Sequence, residues 1–345
     1  MDDLEWLGVT ADDLPAQPPS HTDEQIGQVE AAVEYHATAK ERAILPPFRN
    51  MYDLTSYLTS PSIWFLIAFS GHGKTTLAMA MAEAWAQAGV KVWYLGLETE
   101  PDELRLKRAA KACGLHPGDV MTGQIDSDAY YAVQDHLQRQ AEAIVNGGPM
   151  ANLTFSPTRD VSLPRLRADV QQAHGMGYKV FVIDHIDHIT SGQEGIEESK
   201  RVCYGLHALS KQYPMVYLAT SQANMSMLKG DRLGANRPPQ PEHVWYPGVK
   251  RQVSNGMIGV YRPLQARPED PIAAERWEKD MKAARSGSLE AWKVMARNQM
   301  GLSLMKHRDF GEREGRLQKL YIDRGNVRDW TSMDDVNTRL GGQRG

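Results

Sequence analysis

Cysteine is nearly absent from this chain: two in 345 residues, Cys113 and Cys203, far apart and with no Cys-x-x-Cys pair. That excludes a disulfide framework and a four-cysteine zinc ribbon, and it suits a reducing compartment. No apolar run approaches the ~20 residues of a membrane span, so no membrane contact is expected. No lysine or arginine precedes Lys40, which argues against signal and transit peptides and for a cytoplasmic setting. The net charge of −4 is not that of a polycation, so any nucleic-acid contact must be local. Internal repeats and low-complexity tracts are missing too.

What is present begins with Ala68-Phe69-Ser70-Gly71-His72-Gly73-Lys74-Thr75-Thr76. The run Ile63-Trp64-Phe65-Leu66-Ile67 precedes it and Leu77-Ala78-Met79-Ala80-Met81-Ala82 follows. A buried strand, a small-residue loop and a helix in that order make a phosphate cradle. Backbone N–H groups of residues 70–76 wrap the phosphates, and the helix N-terminus adds a favourable dipole. Lys74 reaches the β- and γ-phosphates and the Thr75 hydroxyl ligates magnesium. Ala68 stands where the first glycine of the pattern is usual. The expected ligands are ATP and Mg2+.

Composition divides the chain into an acidic leader over 1–21, a helix and connection over 22–49, one α/β domain over 50–330 and a tail over 331–345. Thr22-Asp23-Glu24-Gln25 fits a capping box, and Ile26, Val29 and Val33 then share one helical face. Strands are predicted at 63–68, 91–97, 152–156, 179–184, 215–221 and 257–262. Helices are predicted at 74–88, 101–113, 127–145, 162–174 and 198–212. Their alternation implies a mostly parallel sheet with helices on its faces. Residues 223–256 form a long Gly-, Pro- and base-rich segment, 272–298 look helical, and strands at 302–307 and 317–323 flank a hairpin.

Strand C-terminal ends open at the ligand crevice of a parallel sheet, which singles out several residues. Asp184 closes an apolar strand and can meet magnesium held by Thr75. Glu98 closes another and is the candidate base for the attacking water, with Glu100 as its competitor. Gln222 follows a third, placed to contact the γ-phosphate or simply to start a loop. In His185-Ile186-Asp187-His188, strand alternation puts His185 and His188 on opposite faces, neither with a third metal ligand nearby. Lys306 and Arg308 close a late strand; they are either a solvated face or the cations that a transferred phosphate needs. Lys229, Arg232, Arg237, Lys250 and Arg251, with Trp245 and Tyr246 between them, are candidates for single-stranded DNA contact.

The order of these pieces resembles the ATPase domain of the replicative DnaB-type helicases, which has the RecA fold. The resemblance covers roughly 50–325 and is carried by the phosphate loop, Gly96-Leu97-Glu98-Thr99, Met121 to Gln124, Val161 to Arg167, Ile183 to Asp187, Thr220-Ser221-Gln222 and Lys306-His307-Arg308-Asp309. It implies an ATP-driven helicase that forms a homo-oligomeric, hexameric ring on single-stranded DNA, with a loader or primase as possible partner. It also implies that Glu98 is catalytic and that Lys306 and Arg308 reach the neighbouring subunit's nucleotide. The family's DNA-contacting motif is loosely matched over Trp245 to Asn255, where Gly248 and Gln252 fit, and the large N-terminal domain is replaced by the acidic leader. A RecA- or KaiC-like ATPase serving as recombination mediator or assembly scaffold is the alternative. A small-substrate kinase is disfavoured because no arginine-rich lid follows a substrate pocket.

Overall fold

A computed structural model of the chain describes residues 21–157, 162–224, 238–244, 246–262, 299–323 and 326–329, with isolated positions at 271, 275, 278, 279 and 331. The chain divides into two units, Met1–Ala43 and Ile44–Gly345. The first carries helix α1 (His21–Ala37) and one further turn at Ala39–Arg42. The helix is already formed at His21, so Thr22 lies inside it and not at its cap. Ile26, Val29 and Val33 are exposed at 52%, 64% and 65%.

The second unit begins with α2 (Arg49–Thr55), followed by β1 (Ser62–Ala68) and α3 (Lys74–Gln87). β2 (Val92–Gly96) leads into helices α4 (Pro101–Ala112), α5 (Pro117–Thr122) and α6 (Ser127–Val145). Then come β3 (Leu153–Phe155), α7 (Leu163–Gly175), β4 (Val180–Asp184), α8 (Gly195–Gln212) and β5 (Val216–Gln222). The last stretch holds α9 (Pro247–Val253), β6 (Gly256–Tyr261), β7 (Gln299–His307), β8 (Leu317–Asp323) and β9 (Asn326–Asp329). These nine strands form one large sheet in the order β9-β8-β7-β6-β1-β5-β4-β2-β3. From β6 to β3 every neighbouring pair is parallel, whereas β7, β8 and β9 add an antiparallel edge. The protein is therefore an α/β domain with a mostly parallel central sheet.

β1 shows why the sheet must be covered on both sides. All of its residues are buried; Trp64, Leu66 and Ala68 enter one apolar cluster, while Ile63, Phe65 and Ile67 enter the other. This is the two-residue alternation of a strand whose two faces are both packed. α3 covers the first face through Leu77, Ala78, Met81 and Trp85. α7 and α8 cover the second through Leu166, Val170, Val202 and Leu206. Helices α2, α5 and α9, at seven, six and seven residues, have no counterpart in the sequence reading. α9 lies within the predicted loop 223–256 and opens on Pro247 at its first turn. The acidic leader up to residue 20, Trp245, the cations Lys229, Arg232 and Arg237, most of the predicted helix 272–298 and nearly all of the tail 331–345 lie outside the described residues. Among the described residues, no helix is long and apolar enough to cross a membrane.

Candidate functional site

The loop between β1 and α3 turns on two left-handed glycines, Gly71 at φ 76° and Gly73 at φ 88°. Only glycine takes such angles without a steric cost. A methyl group on Gly73 would lie 2.8 Å from Met300 Cε and 3.8 Å from Arg262 Cδ, so the loop is also closely covered. The His72 N–H donates to the Phe69 carbonyl at 3.2 Å. Lys74 and Thr75 open α3, and the Lys74 side chain is largely buried. Burial lowers the Lys74 pKa, against the pull of Asp184, Glu98 and Asp187. The loop lysine thus sits in the field of the strand-end carboxylates.

Those carboxylates come together because β4 lies between β5 and β2. Asp184 pairs in register with Gly96, two residues before Glu98. Asp184 is 1% exposed and is held by Tyr94 Oη (2.8 Å) and Thr220 Oγ1 (2.6 Å), each donating to one carboxylate oxygen. A carboxylate has about four lone-pair positions, which leaves two for a cation or its water. With the Thr75 hydroxyl, the donor set is all oxygen and fits magnesium. Glu98, 53% exposed, faces His185 with Oε2 3.4 Å from Nε2. Its competitor Glu100 is the residue that precedes α4. A cavity of about 460 Å³ beside them is lined by Thr75, Thr76 and Glu98 among others.

The segment after Asp184 departs from strand alternation. β4 ends at Asp184, and Ile186–His188 form a 3₁₀ turn. His185 and His188 therefore share one side, their ring centroids 4.0 Å apart, with Glu98 close to both. The expectation of opposite faces without a third ligand is corrected. Asp187 turns the other way and accepts from Ser221 Oγ at 2.8 Å and from the Gln222 N–H at 2.9 Å. Gln222 is level with Ala68 in the β1–β5 register, beside the start of the phosphate loop.

Lys250, expected at a DNA surface, is instead 1% exposed. Its ammonium donates to Asp187 and to Ser221 Oγ (2.8 Å). Burial pushes the Asp187 pKa up, but the Lys250 charge, helped by hydrogen bonds from Lys250, Gln222 and Ser221, brings it below the ordinary value. A DNA phosphate has no access to a cation committed in this way, which corrects the expectation. Gly248 and Arg251 on the same helix are exposed, with Arg251 3.7 Å from Glu314.

Lys306 and Arg308 lie away from the phosphate loop along the strand direction, level with the first half of β1. Lys306 pairs with Met257, and Met257 with Phe65. The Arg308 N–H donates to Asn255, whose N–H donates to Ile63 (both 2.8 Å). From Phe65 and Ile63 to Ala68 the strand rises about 10 and 17 Å. Both side chains are engaged at the carbonyl end of α9. Lys306 donates to Arg251 O and to Ser254 O (2.5 Å), and Arg308 donates to Gln252 O and Ser254 O at 3.4 and 3.3 Å. Burial, then Arg308 and Arg251, bring Lys306 down to about 8.

Among the described residues, Arg262, just beyond β6, is a cation that the fold brings close to the loop within one chain. Its backbone N–H donates to His72 Nδ1 at 3.1 Å. Burial lowers the Arg262 pKa, and burial followed by the charges of Arg262 and Lys74 pushes His72 down to about 4. Sequence reasoning missed Arg262, although it closes the predicted strand 257–262 and the strand-end rule that selected Asp184 applies to it equally. Tyr94 and Thr220, the clamps on Asp184, carry no such signal, because they are ordinary residues of buried strands.

Comparison with known proteins gives the same fold. One solved ATPase domain superimposes with a TM-score of 0.64 at 14% identity, covering 91% of this chain and 100% of that one. A DnaB-like replicative helicase, solved in a study of its interactions with primase, gives 0.63 at 15% identity, covering 95% and 70%. A KaiC-like protein from Pyrococcus horikoshii OT3 gives 0.51 at 14% identity, covering 84% and 99%. A search of curated protein sequences found no significant match. The sequence profile of the DnaB-like helicase C terminal domain matches residues 44–301, most of the chain. The chain therefore belongs to the DnaB-like helicase C-terminal domain family.

Proposed function

We propose that this protein is an ATP-driven, ring-forming DNA helicase that translocates on single-stranded DNA during replication. The observation that carries the reading is the division of the chemistry within one chain. Lys74, Thr75, Asp184 and Glu98 gather at one end of the sheet, whereas Lys306 and Arg308 are about 10–17 Å of strand away from it. Such a division suits a nucleotide bound between subunits, one copy supplying the loop and its neighbour the second set of cations.

In this reading Ser70, Gly71, His72, Gly73 and Thr76 cradle the phosphates with Lys74. Thr75 and Asp184 would hold Mg2+, which neutralises phosphate charge when bound. Glu98 takes the proton of the attacking water as the new P–O bond forms at the γ-phosphorus and the bridging bond to ADP breaks. Gln222 senses the γ-phosphate, and Lys306 and Arg308 of one subunit serve the next. The exposed stripe of Ile26, Val29 and Val33 on α1 supports docking of that helix on an adjacent subunit. Gly248 and Arg251 face the DNA in place of Lys250. A loader or primase remains a partner by analogy with the helicase solved in the primase study. A cytoplasmic location fits these roles.

ATPase activity with and without single-stranded DNA, run beside unwinding of a forked duplex, tests the reading. DNA-stimulated hydrolysis together with strand separation is expected. Stimulation without separation would favour the recombination-mediator or scaffold reading.

A further inference from the structure

Glu98, His185 and His188 form a cluster that hydrolysis uses only in part. One ligand atom from each lies within 4.8 Å of the other two. The cause is local: the 3₁₀ turn Ile186–His188 follows His185 directly, and side chains three residues apart eclipse on such a turn. His188 therefore comes to stand over His185, with ring planes 36° apart, while Glu98 approaches from the end of the neighbouring strand. Its Oε2 is 3.4 Å from His185 Nε2. Two ligands on a tetrahedral zinc ion, with bonds of 2.0–2.1 Å, stand roughly 3.3 Å apart.

The rest of the cluster has the character of a metal centre. His185 is 6% exposed, and its other nitrogen, Nδ1, is buried with no hydrogen-bond partner among the described residues, 3.6 Å from Asp187 Oδ2. The carboxylate charge of Asp187 lies near the ring without a hydrogen bond to it. Glu98 and His188 are exposed, which gives an entry path and an open fourth position. Two imidazoles and one carboxylate suit zinc and its neighbours in the first transition row, whereas magnesium and calcium take oxygen donors. This donor set is thus different in kind from Thr75 with Asp184.

We propose that Glu98, His185 and His188 bind a divalent transition-metal ion of the zinc class, and that its occupancy takes Glu98 out of hydrolysis. The inhibitory half rests on Glu98 being the base; the binding half does not. Cobalt(II) added to the full chain is the probe for binding, because tetrahedral cobalt absorbs in the visible. A visible band saturating at one equivalent, displaced by zinc and lost in His188→Ala, supports the site. His188→Ala must melt at the wild-type temperature without metal, and His188→Gln provides a second variant if it does not. Absence of the band, or its survival in the His188 variants, overturns the site. ATP hydrolysis at fixed excess magnesium is then followed with rising zinc, each protein scaled to its own zinc-free rate. A fall to below a tenth in the wild type, reversed by a chelator and absent from His188→Ala, supports inhibition. Cobalt binding together with zinc-insensitive hydrolysis overturns the inhibitory half and removes Glu98 from the reaction.

Discussion

The Lys250 ammonium donates to the Asp187 carboxylate inside the protein, with only 1% of the lysine side chain exposed. The pair ties α9 to the turn after β4, and Ser221 Oγ joins it to the end of β5. The lysine is buried while the Asp187 side chain is 24% exposed and keeps its hydrogen bonds from Ser221 and Gln222, so removing Lys250 costs less than the ~3–5 kcal/mol of a fully buried pair. Lys250→Ala is expected to lower the denaturant midpoint accordingly. Arg251→Ala, on the exposed side of the same helix, should leave the midpoint unchanged and flatten the salt dependence of single-stranded DNA binding by about 0.7 in log–log slope. Equal midpoints for wild type and Lys250→Ala would mean that the lysine is not committed to Asp187 in solution. A wild-type slope in Arg251→Ala would turn attention to residues 190–201.

Lys74→Ala and Glu98→Gln should separate binding from chemistry. The first removes the cation proposed to contact the phosphates, so equilibrium binding of a fluorescent ATP analogue is expected to vanish. The second keeps the loop and removes the proposed base, so binding is expected to persist while turnover falls by about 10²–10⁴. Normal turnover in Glu98→Gln would move the role of base to Glu100 or elsewhere.

Arg308 should act on the neighbouring subunit's nucleotide. Arg308→Ala alone is expected to lose about 10³ or more in turnover, the scale of a trans-acting arginine, while its melting temperature stays close to wild type. Mixing it with Lys74→Ala places an intact half-site from each variant at some interfaces, and a measurable return of hydrolysis is the expected outcome. Full activity of Arg308→Ala by itself would refute the role.

His72 makes acid stability a second test of the loop. It titrates at about 4 in the fold against an ordinary 6.5 in the unfolded chain. Between those values the unfolded state takes up a proton that the native state refuses, so stability is full above pH 6.5 and falls as the pH drops through that window. The loss between pH 7 and pH 5 is about 2 kcal/mol. His72→Asn, which retains an acceptor for the Arg262 N–H, should flatten that part of the stability–pH curve. An unaltered curve would show that His72 is protonated without penalty.

Deleting residues 1–43 tests the first unit, whose helix presents Ile26, Val29 and Val33. The truncated chain retains the whole sheet and both apolar clusters, so it should fold and bind nucleotide. Light scattering is expected to report a monomer, with DNA-stimulated hydrolysis largely lost. A ring of unchanged mass would mean that α1 is not what joins subunits.

The sequence by itself determined the parts whose signal lies in adjacent residues. The apolar run Ile63 to Ala68, the glycines at 71 and 73 and Lys74-Thr75 specify strand, loop and helix in order, because each local preference agrees with the next. The buried strand ending in Asp184 and the one that stops two residues before Glu98 were legible for the same reason, and so was the hairpin of the late strands. A helix as short as α9 has too few turns to show a period, and so it was hidden in the loop 223–256. Tertiary structure alone decided what depends on register and on turns between distant segments. The 3₁₀ turn brings His188 over His185, pairing through Met257 sets Lys306 away from the phosphate loop, and β6 delivers Arg262 to it. Lys250 reads as a surface cation in a basic stretch, yet it is buried because Asp187, 63 residues earlier in the chain, meets it at the end of the sheet. Charge, spacing and composition are properties of the chain, whereas the desolvation that gives a charge its partner exists only once the strands have packed.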